Sequence, residues 1–330
     1  MSADPAGMLD DVLAQPDQIE DALWRADGAG LPRHELAGGL VVAGMGGSAI
    51  GGDLAAAIVG ERAARPIRTR RGYGLDPWTG ADSLILCASY SGETEETLAC
   101  YDAARALGAP RVVLTTGGTL AQRAREDGVP VIGVPGGMQP RAAVVYMTVA
   151  AIECAAACGA APSLRDEVEA AAPCLRAVAD SPLPAELAGR LADRVPIVHG
   201  AGRTAAPARR WKTQLNENAE VPAFSTVLPE GDHNEVCGYG TGLAPFAAIL
   251  LTDEGLDARL QRRIGITGEL LEAEGTPVHT VEAMGASATE RVLSLVMLGD
   301  LTSVQLAYAR GVDPTPVEAI DRLKARLDEG

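Results

Sequence analysis

Two stretches of the sequence decide the fold. Residues 41–48 read Val-Val-Ala-Gly-Met-Gly-Gly-Ser, and residues 197–204, which lie 156 positions further on, read Ile-Val-His-Gly-Ala-Gly-Arg-Thr. Each stretch is an apolar run typical of a buried strand, followed by a Gly-rich turn and a hydroxyl residue that opens a helix. The pair indicates a duplicated α/β unit, although any two strand-to-helix turns in α/β proteins look partly alike.

The rest of the chain continues this alternation of strands and helices. Gly and Pro recur at intervals of roughly 15 to 25 residues and separate short β-branched runs from longer helical ones. The predicted strands are residues 40–43, 84–88, 111–115 and 131–134, and the predicted helices include residues 95–107 and 119–127. Because these strands are apolar throughout, they are typical of parallel strands covered on both faces.

The length of 330 residues fits two domains of roughly 150 residues each. We expect the boundary within residues 158–180, which hold Pro162 and Pro173 between helical segments. The sequence therefore predicts an α/β fold with an N-terminal domain at 1–158 and a C-terminal domain at 159–330.

The composition argues against polyanionic partners. Lys and Arg number 28 against 44 for Asp and Glu, which gives a net charge of −16, and only 3% of the residues are aromatic. Nucleic acids require a basic footprint and stacking rings, and anionic membranes attract basic surfaces. We therefore expect neither nucleic acid nor a membrane as a partner.

The same data predict a cytoplasmic protein. The apolar runs fall short of the roughly 18 residues that a membrane-spanning helix needs, and the first residues lack the basic and apolar regions of a signal peptide. The six cysteines contain no C-x-x-C pair, and several lie in apolar segments, which favours free thiols in a reducing compartment over a disulfide framework.

The first candidate binding site is the turn at residues 44–53, G-M-G-G-S-A-I-G-G-D. It follows a strand and opens a helix, so its free N–H groups and the helix dipole favour an anion such as phosphate. A dinucleotide site and plain tight packing are the alternatives, but no Gly-Lys-Ser/Thr of a Walker loop follows.

A second candidate site is the turn at residues 89–94, S-Y-S-G-E-T. Three hydroxyls and several amides at a helix N-terminus can bind one phosphoryl group without Lys or Arg. Ordinary capping by Ser91 or Thr94 is the alternative, and it explains one hydroxyl. Because open α/β sheets bind ligands at the carboxyl ends of their strands, we expect the two turns to converge there.

Acid–base candidates occur in the second half of the chain. Glu217 lies between Asn216 and Asn218 at a predicted helix end, where the two amides could hold its carboxylate as a proton acceptor. His233 follows sixteen residues later in a polar loop. A solvated helix terminus is the alternative for Glu217. His233 and Glu235 could ligate a metal, but no metal-binding spacing occurs around them.

Two cations complete the candidates. Arg141 follows a Gly-rich turn and opens an apolar helix, so its guanidinium could face a ligand, and Lys324 lies in the last predicted helix. Taken alone, each is equally explained as a surface charge. The remaining histidines fit structural positions: His34, His199 and His279.

Taken in order along nearly the whole chain, these motifs resemble the bifunctional phosphoglucose/phosphomannose isomerase family, whose chains consist of two SIS (sugar isomerase) domains. The shared motifs are G-M-G-G-S-x-I-G-G-D at 44–53, S-Y-S-G-x-T at 89–94, Q-P-R-A-A at 139–143, N-E-N at 216–218, H-N-E at 233–235 and D-P-x-x-V-x-x-I-x-x-L-K at 313–324. The first two are typical of SIS domains in general, whereas N-E-N with H-N-E points to isomerase chemistry. The resemblance implies that each domain is a three-layer α/β/α sandwich around a parallel sheet.

The resemblance also implies an activity: reversible isomerisation of glucose 6-phosphate and mannose 6-phosphate with fructose 6-phosphate through a cis-enediol, with no cofactor and no metal. Glu217 would move the proton between C2 and C1, and Arg141 would stabilise the enediolate. His233 and Lys324 would assist ring opening, with His233 delivered across a homodimer interface. The residues implied to hold the phosphate are Gly47, Ser48, Ser89, Ser91 and Thr94.

Two positions depart from the family pattern, and a third is a candidate for substrate specificity. Glu93 replaces the usual Asn and places a carboxylate near the expected phosphate, and Asp232 also replaces the commoner Asn. Thr315 is a candidate for the small hydroxyl residue that leaves room around C2 for mannose 6-phosphate. Two alternative functions stay open: a non-catalytic SIS protein that senses a phosphosugar, and an isomerase of another phosphosugar.

Overall fold

The computed structural model describes residues 4–241 and 245–328. Its strands are β1 (Gly39–Ala43), β2 (Ile67–Arg70), β3 (Ser83–Ala88), β4 (Arg111–Thr115), β5 (Val131–Gly133), β6 (Val195–Ala201), β7 (Phe224–Leu228), β8 (Phe246–Thr252) and β9 (Val278–Glu282). They form two parallel sheets with the orders β2-β1-β3-β4-β5 and β7-β6-β8-β9. In each sheet the first strand lies between its two successors, so the second sheet repeats the arrangement of the first, as the internal repeat predicts.

Twelve α-helices surround the sheets in the described part of the chain. They are α1 (Met8–Leu13), α2 (Gln15–Gly28), α3 (Gly46–Val59), α4 (Glu95–Leu107), α5 (Gly118–Glu126), α6 (Val144–Ala157), α7 (Arg165–Ala179), α8 (Leu183–Leu191), α9 (Ala205–Asn218), α10 (Ala258–Ala273), α11 (Ala288–Arg310) and α12 (Glu318–Asp328). The four predicted strands and the helices predicted at 95–107 and 119–127 are confirmed to within one residue at each end, and the last predicted helix begins two residues later than expected, at Glu318. The sequence missed β2, a half-exposed edge strand, because its Ile-Arg-Thr-Arg pattern contains no apolar run.

The central strands bring the two candidate turns together. All residues of β1 and β3 are buried, and their parallel register runs from Gly39 beside Ser83 to Ala43 beside Cys87. Both strands therefore end at the same edge of the sheet. The Gly-rich turn before α3 and the hydroxyl-rich turn before α4 begin at this edge, where open α/β sheets bind ligands.

The two halves share one apolar core. A single cluster of buried side chains extends from Met8 in α1 to Ala307 in α11. Helix α11 packs against α7, α8 and α9 and also contacts α3 and α1. The segment 165–179, which falls within the predicted boundary region, is helix α7 and packs against α2. The boundary between residues 158 and 159 stays a prediction.

The expectation about apolar runs was wrong. The segments Pro140–Ala157 and Ala288–Arg310 are long and apolar enough to cross a membrane by length and composition alone. In each case 83% of the apolar window is buried inside the protein, as in the core helices of globular proteins. Their apolar character is therefore explained by the shared core.

Candidate active site

The Gly-rich turn after β1 packs against the segment that carries Arg141. A Cβ atom on Gly47 would lie 3.0 Å from Cα of Arg141 and 3.1 Å from the carbonyl oxygen of Pro140, so a side chain here would force the two segments apart. Gly46 adopts a positive φ of 48° as α3 begins. These glycines place the N-terminus of α3 directly beside Arg141.

Ser48 joins this turn to the hydroxyl-rich turn. Its Oγ accepts a hydrogen bond of 3.2 Å from the backbone N–H of Tyr90. Ser89 Oγ lies 2.8 Å from Thr94 Oγ1 and accepts a bond from the N–H of Gly92. Thr94 occupies the N-cap position of α4 but makes no side-chain capping bond, so ordinary capping does not explain this hydroxyl.

The carboxylate of Glu93 is held by the neighbouring helix α5. It accepts hydrogen bonds from the backbone N–H of Thr119 at 2.7 Å and from Thr119 Oγ1 at 2.8 Å. These bonds lower the pKa of Glu93 and keep it ionised at the helix N-terminus. The departure from the family pattern therefore has a structural explanation: the charge is compensated in the first turn of α5.

Arg141 is the buried cation between the two halves, with 3% of its surface exposed. Its Nε donates to Asn218 Oδ1 at 2.6 Å, and its Nη2 donates to the carbonyl oxygens of Pro314 and Thr315 at 2.7 and 2.8 Å. Burial lowers the pKa of Arg141, and the adjacent Glu217 carboxylate opposes that shift. The interpretation of Arg141 as a surface charge was wrong.

Glu217 lies in the last turn of α9, with its Oε2 3.6 Å from Nη1 of Arg141. The expectation that the flanking asparagines hold this carboxylate was wrong. Asn216 donates to the carbonyl oxygen of Val221, and Asn218 donates to Ser303 Oγ and accepts from Arg141. The asparagines fix the end of α9, and Arg141 is the polar neighbour of the Glu217 carboxylate.

A small cleft of about 80 Å³ separates the halves at this point. Among the residues that line it are Gly47 and Arg141 from the first half, and Arg210, Gln214 and Glu217 from the second. The Gly-rich turn, the buried guanidinium of Arg141 and the Glu217 carboxylate thus border one space. This combination suits a ligand that carries a phosphate at one end and a proton to be moved at the other.

Sequence reasoning missed a buried network that supports the cleft. Arg210 binds Asp300 through two hydrogen bonds of 2.9 and 2.7 Å and also donates to the carbonyl oxygen of Arg141. Gln15 donates to Asp300 Oδ2 at 2.7 Å. Nothing in the sequence signalled this, because Arg210 stands in a basic helical segment and Asp300 within an apolar helix.

His233 and Lys324 do not reach the cleft within this chain. His233 ends the 3-10 turn Glu230–His233 and is exposed, and Lys324 lies on α12, whose described side chains are also exposed. Neither residue lines the cleft. Thr315 lies nearer, since its carbonyl oxygen binds Arg141, and its buried Oγ1 has no hydrogen-bond partner among the described residues.

In the described ranges 4–241 and 245–328, no group of three or more His, Cys, Asp or Glu side chains is arranged to hold a metal ion. All six cysteines are free thiols. His199, predicted to be structural, is buried in β6 with its Nε2 2.9 Å from the hydroxyl of Tyr239. Burial lowers the pKa of His199 to about 4.

The fold and the site together define a protein of the tandem SIS-domain class. The profile of the bacterial phospho-glucose isomerase C-terminal SIS domain matches residues 183–327. A solved structure of a hypothetical protein from Thermus thermophilus superposes with a TM-score of 0.76 at 17% identity, covering 98% of this chain and 90% of that one.

Sequence relatives give the family. The bifunctional phosphoglucose/phosphomannose isomerase of Caldicellulosiruptor bescii is 35% identical over 98% of this chain and 99% of its own length. The enzyme of the same name from Aquifex aeolicus is 36% identical over 88% of this chain and 90% of its own length. The chain therefore belongs to the bifunctional phosphoglucose/phosphomannose isomerase family, which confirms the predicted resemblance.

Proposed function

We propose that the protein interconverts glucose 6-phosphate and mannose 6-phosphate with fructose 6-phosphate through a cis-enediol. The observation that carries this proposal is the placement of Glu217 beside Arg141, in a cleft whose other wall is the N-terminal turn of α3. A non-catalytic phosphosugar sensor has no need for a carboxylate paired with a buried guanidinium next to the anion turn.

The phosphate is bound at the two turns of the first sheet. Gly47 and Ser48 lie at the start of α3, and Ser89, Ser91 and Thr94 lie in the turn before α4. Hydroxyls and backbone N–H groups at helix N-termini bind phosphate without a basic side chain. Because the Glu93 carboxylate is hydrogen-bonded to Thr119, it does not occupy the position where the turn would bind the phosphate.

Glu217 acts as the base. It removes the proton from C2 of the open-chain aldose and returns it to C1. In the same conversion one proton leaves the C2 hydroxyl and one is added to O1, so the C1 carbonyl becomes a hydroxyl and the C2 hydroxyl becomes the carbonyl of the ketose.

Three donor hydrogens of Arg141 are engaged by Asn218, Pro314 and Thr315 at 2.6 to 2.8 Å. Its Nη1 makes a longer bond of 3.5 Å to Gln139 Oε1, so Nη1 is the group that can turn to the enediolate oxygens. A rigidly held cation of this kind stabilises the charge that develops in the transition state.

His233 and Lys324 assist opening of the sugar ring by transferring protons at the ring oxygen and O1. We infer that His233 of one protomer serves the site of its partner in a homodimer, because it is exposed and does not line the cleft of its own chain. Its neighbours Asp232 and Val236 line a groove of about 400 Å³ on α10, together with the exposed apolar side chains of Ile266 and Leu270. Such an apolar surface beside a catalytic loop is suited to subunit contact.

The remaining parts of the proposal follow from the family. The reaction requires neither metal nor cofactor, the protein is cytoplasmic and serves carbohydrate metabolism, and Thr315 leaves room at C2 for the mannose epimer. The division between the phosphate-binding domain and the domain of Glu217, His233 and Lys324 is placed at residues 158 and 159.

One assay tests the proposal. The purified protein is treated with EDTA and given fructose 6-phosphate, and glucose 6-phosphate and mannose 6-phosphate are quantified. We expect both aldoses to form at a rate proportional to protein concentration. Absence of both aldoses at every protein concentration would contradict the isomerase function, and activity that EDTA abolishes and zinc restores would contradict the metal-free reaction.

Shared sites are tested by subunit complementation. Glu217→Gln and His233→Ala variants are each expected to be nearly inactive, and mixed dimers carry one site with both groups intact. Co-expression should therefore restore up to about a quarter of the wild-type activity, as expected for a random distribution of subunits in a symmetric dimer. No recovery in isolated mixed dimers would place His233 in the site of its own chain.

A further inference from the structure

Gln214 is a buried amide that faces the cleft without a protein partner. It lies on α9 with 2% of its surface exposed and lines the cleft beside Arg141 and Glu217. Its carboxamide forms no hydrogen bond to any residue of the ranges 4–241 and 245–328 that the structure describes. The amide atoms of Gln214 are not among the fully buried polar atoms without a partner, so the small exposed part of the residue includes the amide, which opens onto the cleft. The amide is therefore free to bond a group that enters the cleft.

The position of Gln214 relates it to the reacting atoms. It stands three residues before Glu217 on the same helix, so the two side chains project from the same face, about 4.5 Å apart along the axis. A group bound by Gln214 therefore lies next to the carbon from which Glu217 removes a proton.

The chemistry of the cleft sets what Gln214 can recognise. Four of the side chains that line it are arginines, which only donate hydrogen bonds: Arg71, Arg141, Arg209 and Arg210. The hydroxyl of Thr213 is directed to the carbonyl oxygen of Arg210. The carboxamide of Gln214 offers two donors and an acceptor without charge, which matches a sugar hydroxyl that both donates and accepts.

We infer that Gln214 binds the C3 hydroxyl of the phosphosugar and is a specificity-determining residue of this site. The inference rests on the proposed isomerase function. Glucose, mannose and fructose 6-phosphates share the same configuration at C3, so Gln214 acts equally on all three and takes no part in the choice between the C2 epimers. It discriminates instead against sugars that are inverted at C3 or lack its hydroxyl.

The test removes the C3 hydroxyl of the substrate and the amide of Gln214, first separately and then together. Wild-type protein and Gln214→Met, which keeps the length of the side chain without its polar atoms, are assayed with glucose 6-phosphate and 3-deoxyglucose 6-phosphate. We expect kcat/KM to fall about 10- to 100-fold when either partner is removed, the range for one lost hydrogen bond to a buried polar group. Removing both the Gln214 amide and the C3 hydroxyl should lower kcat/KM little more than removing one of them.

Three comparisons separate this role from a structural one. Gln214→Met should lower kcat/KM by the same factor for glucose 6-phosphate and mannose 6-phosphate, and Gln122→Met, on the exposed surface of α5, should match wild type. If Gln214→Met does not fold, Gln214→Asn takes its place, and the loss with the deoxy substrate on the wild-type protein still tests the contact.

The outcomes distinguish the two proposals. A wild-type protein without isomerase activity overturns the proposed function and this inference with it. Two results overturn the role of Gln214 and leave the isomerase function intact. In the first, wild-type protein converts the 3-deoxy substrate as fast as the parent sugar. In the second, the fold losses in kcat/KM from Gln214→Met and from the 3-deoxy substrate multiply when the two are combined.

Discussion

Nη1 of Arg141 lies 3.6 Å from Oε2 of Glu217. The two residues come from opposite halves of the chain, and the cation is fixed by Asn218 and by the carbonyl oxygens of Pro314 and Thr315. The geometry of this pair therefore depends on the packing of the two halves, since neither half alone contains both groups.

Replacement of Glu217 by Gln should abolish proton transfer while substrate still binds. A positioned acid–base group typically contributes 10² to 10⁴ in rate, so we expect kcat to fall at least about a hundredfold. Steady-state kinetics with fructose 6-phosphate and a direct binding measurement check this. Glu220→Gln, an exposed position two residues beyond α9, is the matched control, and a near-normal kcat in Glu217→Gln would refute its role as the base.

Replacement of Arg141 by Lys keeps a positive charge but cannot reach all of its partners, because an ammonium lacks the planar fork of a guanidinium. We expect kcat to fall by at least about tenfold and the protein to lose about 1–3 kcal/mol for the acceptors left unpaired. Activity and urea unfolding are measured on the same preparation. Arg190→Lys on the exposed surface of α8 serves as the control, and an Arg141→Lys protein with unchanged kcat would show that charge alone suffices.

Asp300→Asn tests the buried ion pair beneath the cleft. Removing one partner leaves Arg210 charged and buried, which typically costs about 3–5 kcal/mol. Urea unfolding should show this loss, whereas Asp193→Asn, at an exposed position, should change stability by less than about 0.5 kcal/mol. A loss of less than about 1 kcal/mol for Asp300→Asn would mean that the buried pair contributes little to the stability of the fold.

His199 makes stability depend on pH. Burial lowers its pKa from 6.5 to about 4, so between these values the unfolded chain binds a proton that the folded chain does not. The free energy of unfolding therefore decreases progressively as the pH falls from about 6.5 to 4, and the effect of His199 levels off below pH 4. The total decrease is roughly 3 kcal/mol at 1.36 kcal/mol per pKa unit. His199→Asn should flatten the unfolding free energy over this range relative to His34→Asn. If the unfolding free energies of the two variants depend on pH in the same way, His199 is not the source of the pH dependence.

Helix α12 offers a test of the subunit contact. Ile320, Leu323 and Leu327 are 38%, 60% and 64% exposed and recur along one face of the helix. If the proposed homodimer uses this face, Leu323→Asp should yield monomers and reduce activity, as measured by light scattering and the isomerase assay. Ala325→Asp, on the opposite face, is the control. A fully dimeric Leu323→Asp protein would show that α12 lies outside the interface.

Much of the first half could be predicted from its sequence because local patterns determine it. Continuous apolar runs are sufficient to place β1, β3 and β4, and Gly-rich turns mark the starts of α3 and of the hydroxyl turn. The strand β2 escaped prediction because an edge strand with alternating Arg residues has no apolar run. The two long apolar helices were also misjudged, since polar residues such as Glu153 and Asp300 interrupt their apolar runs.

The site was less accessible to sequence reasoning because it is built from distant segments. The motifs identified Arg141 and Glu217, but their proximity depends on packing between the halves. Asn216 and Asn218 were assigned to the wrong partners, since sequence adjacency to Glu217 does not determine where a helical side chain points. Arg210, Asp300 and Gln214 carried no signal, because a buried polar residue in a helix looks like any other until its neighbours are known.

The single core that runs from Met8 to Ala307 affects how the chain folds during its synthesis. During synthesis the first half emerges with the faces that later contact α9 and α11 still uncovered, and it reaches its final state once those helices arrive. Two duplicated domains that share one hydrophobic core do not fold independently of each other. An excised half should therefore expose apolar surface and aggregate, and heat should melt the intact protein in one cooperative transition.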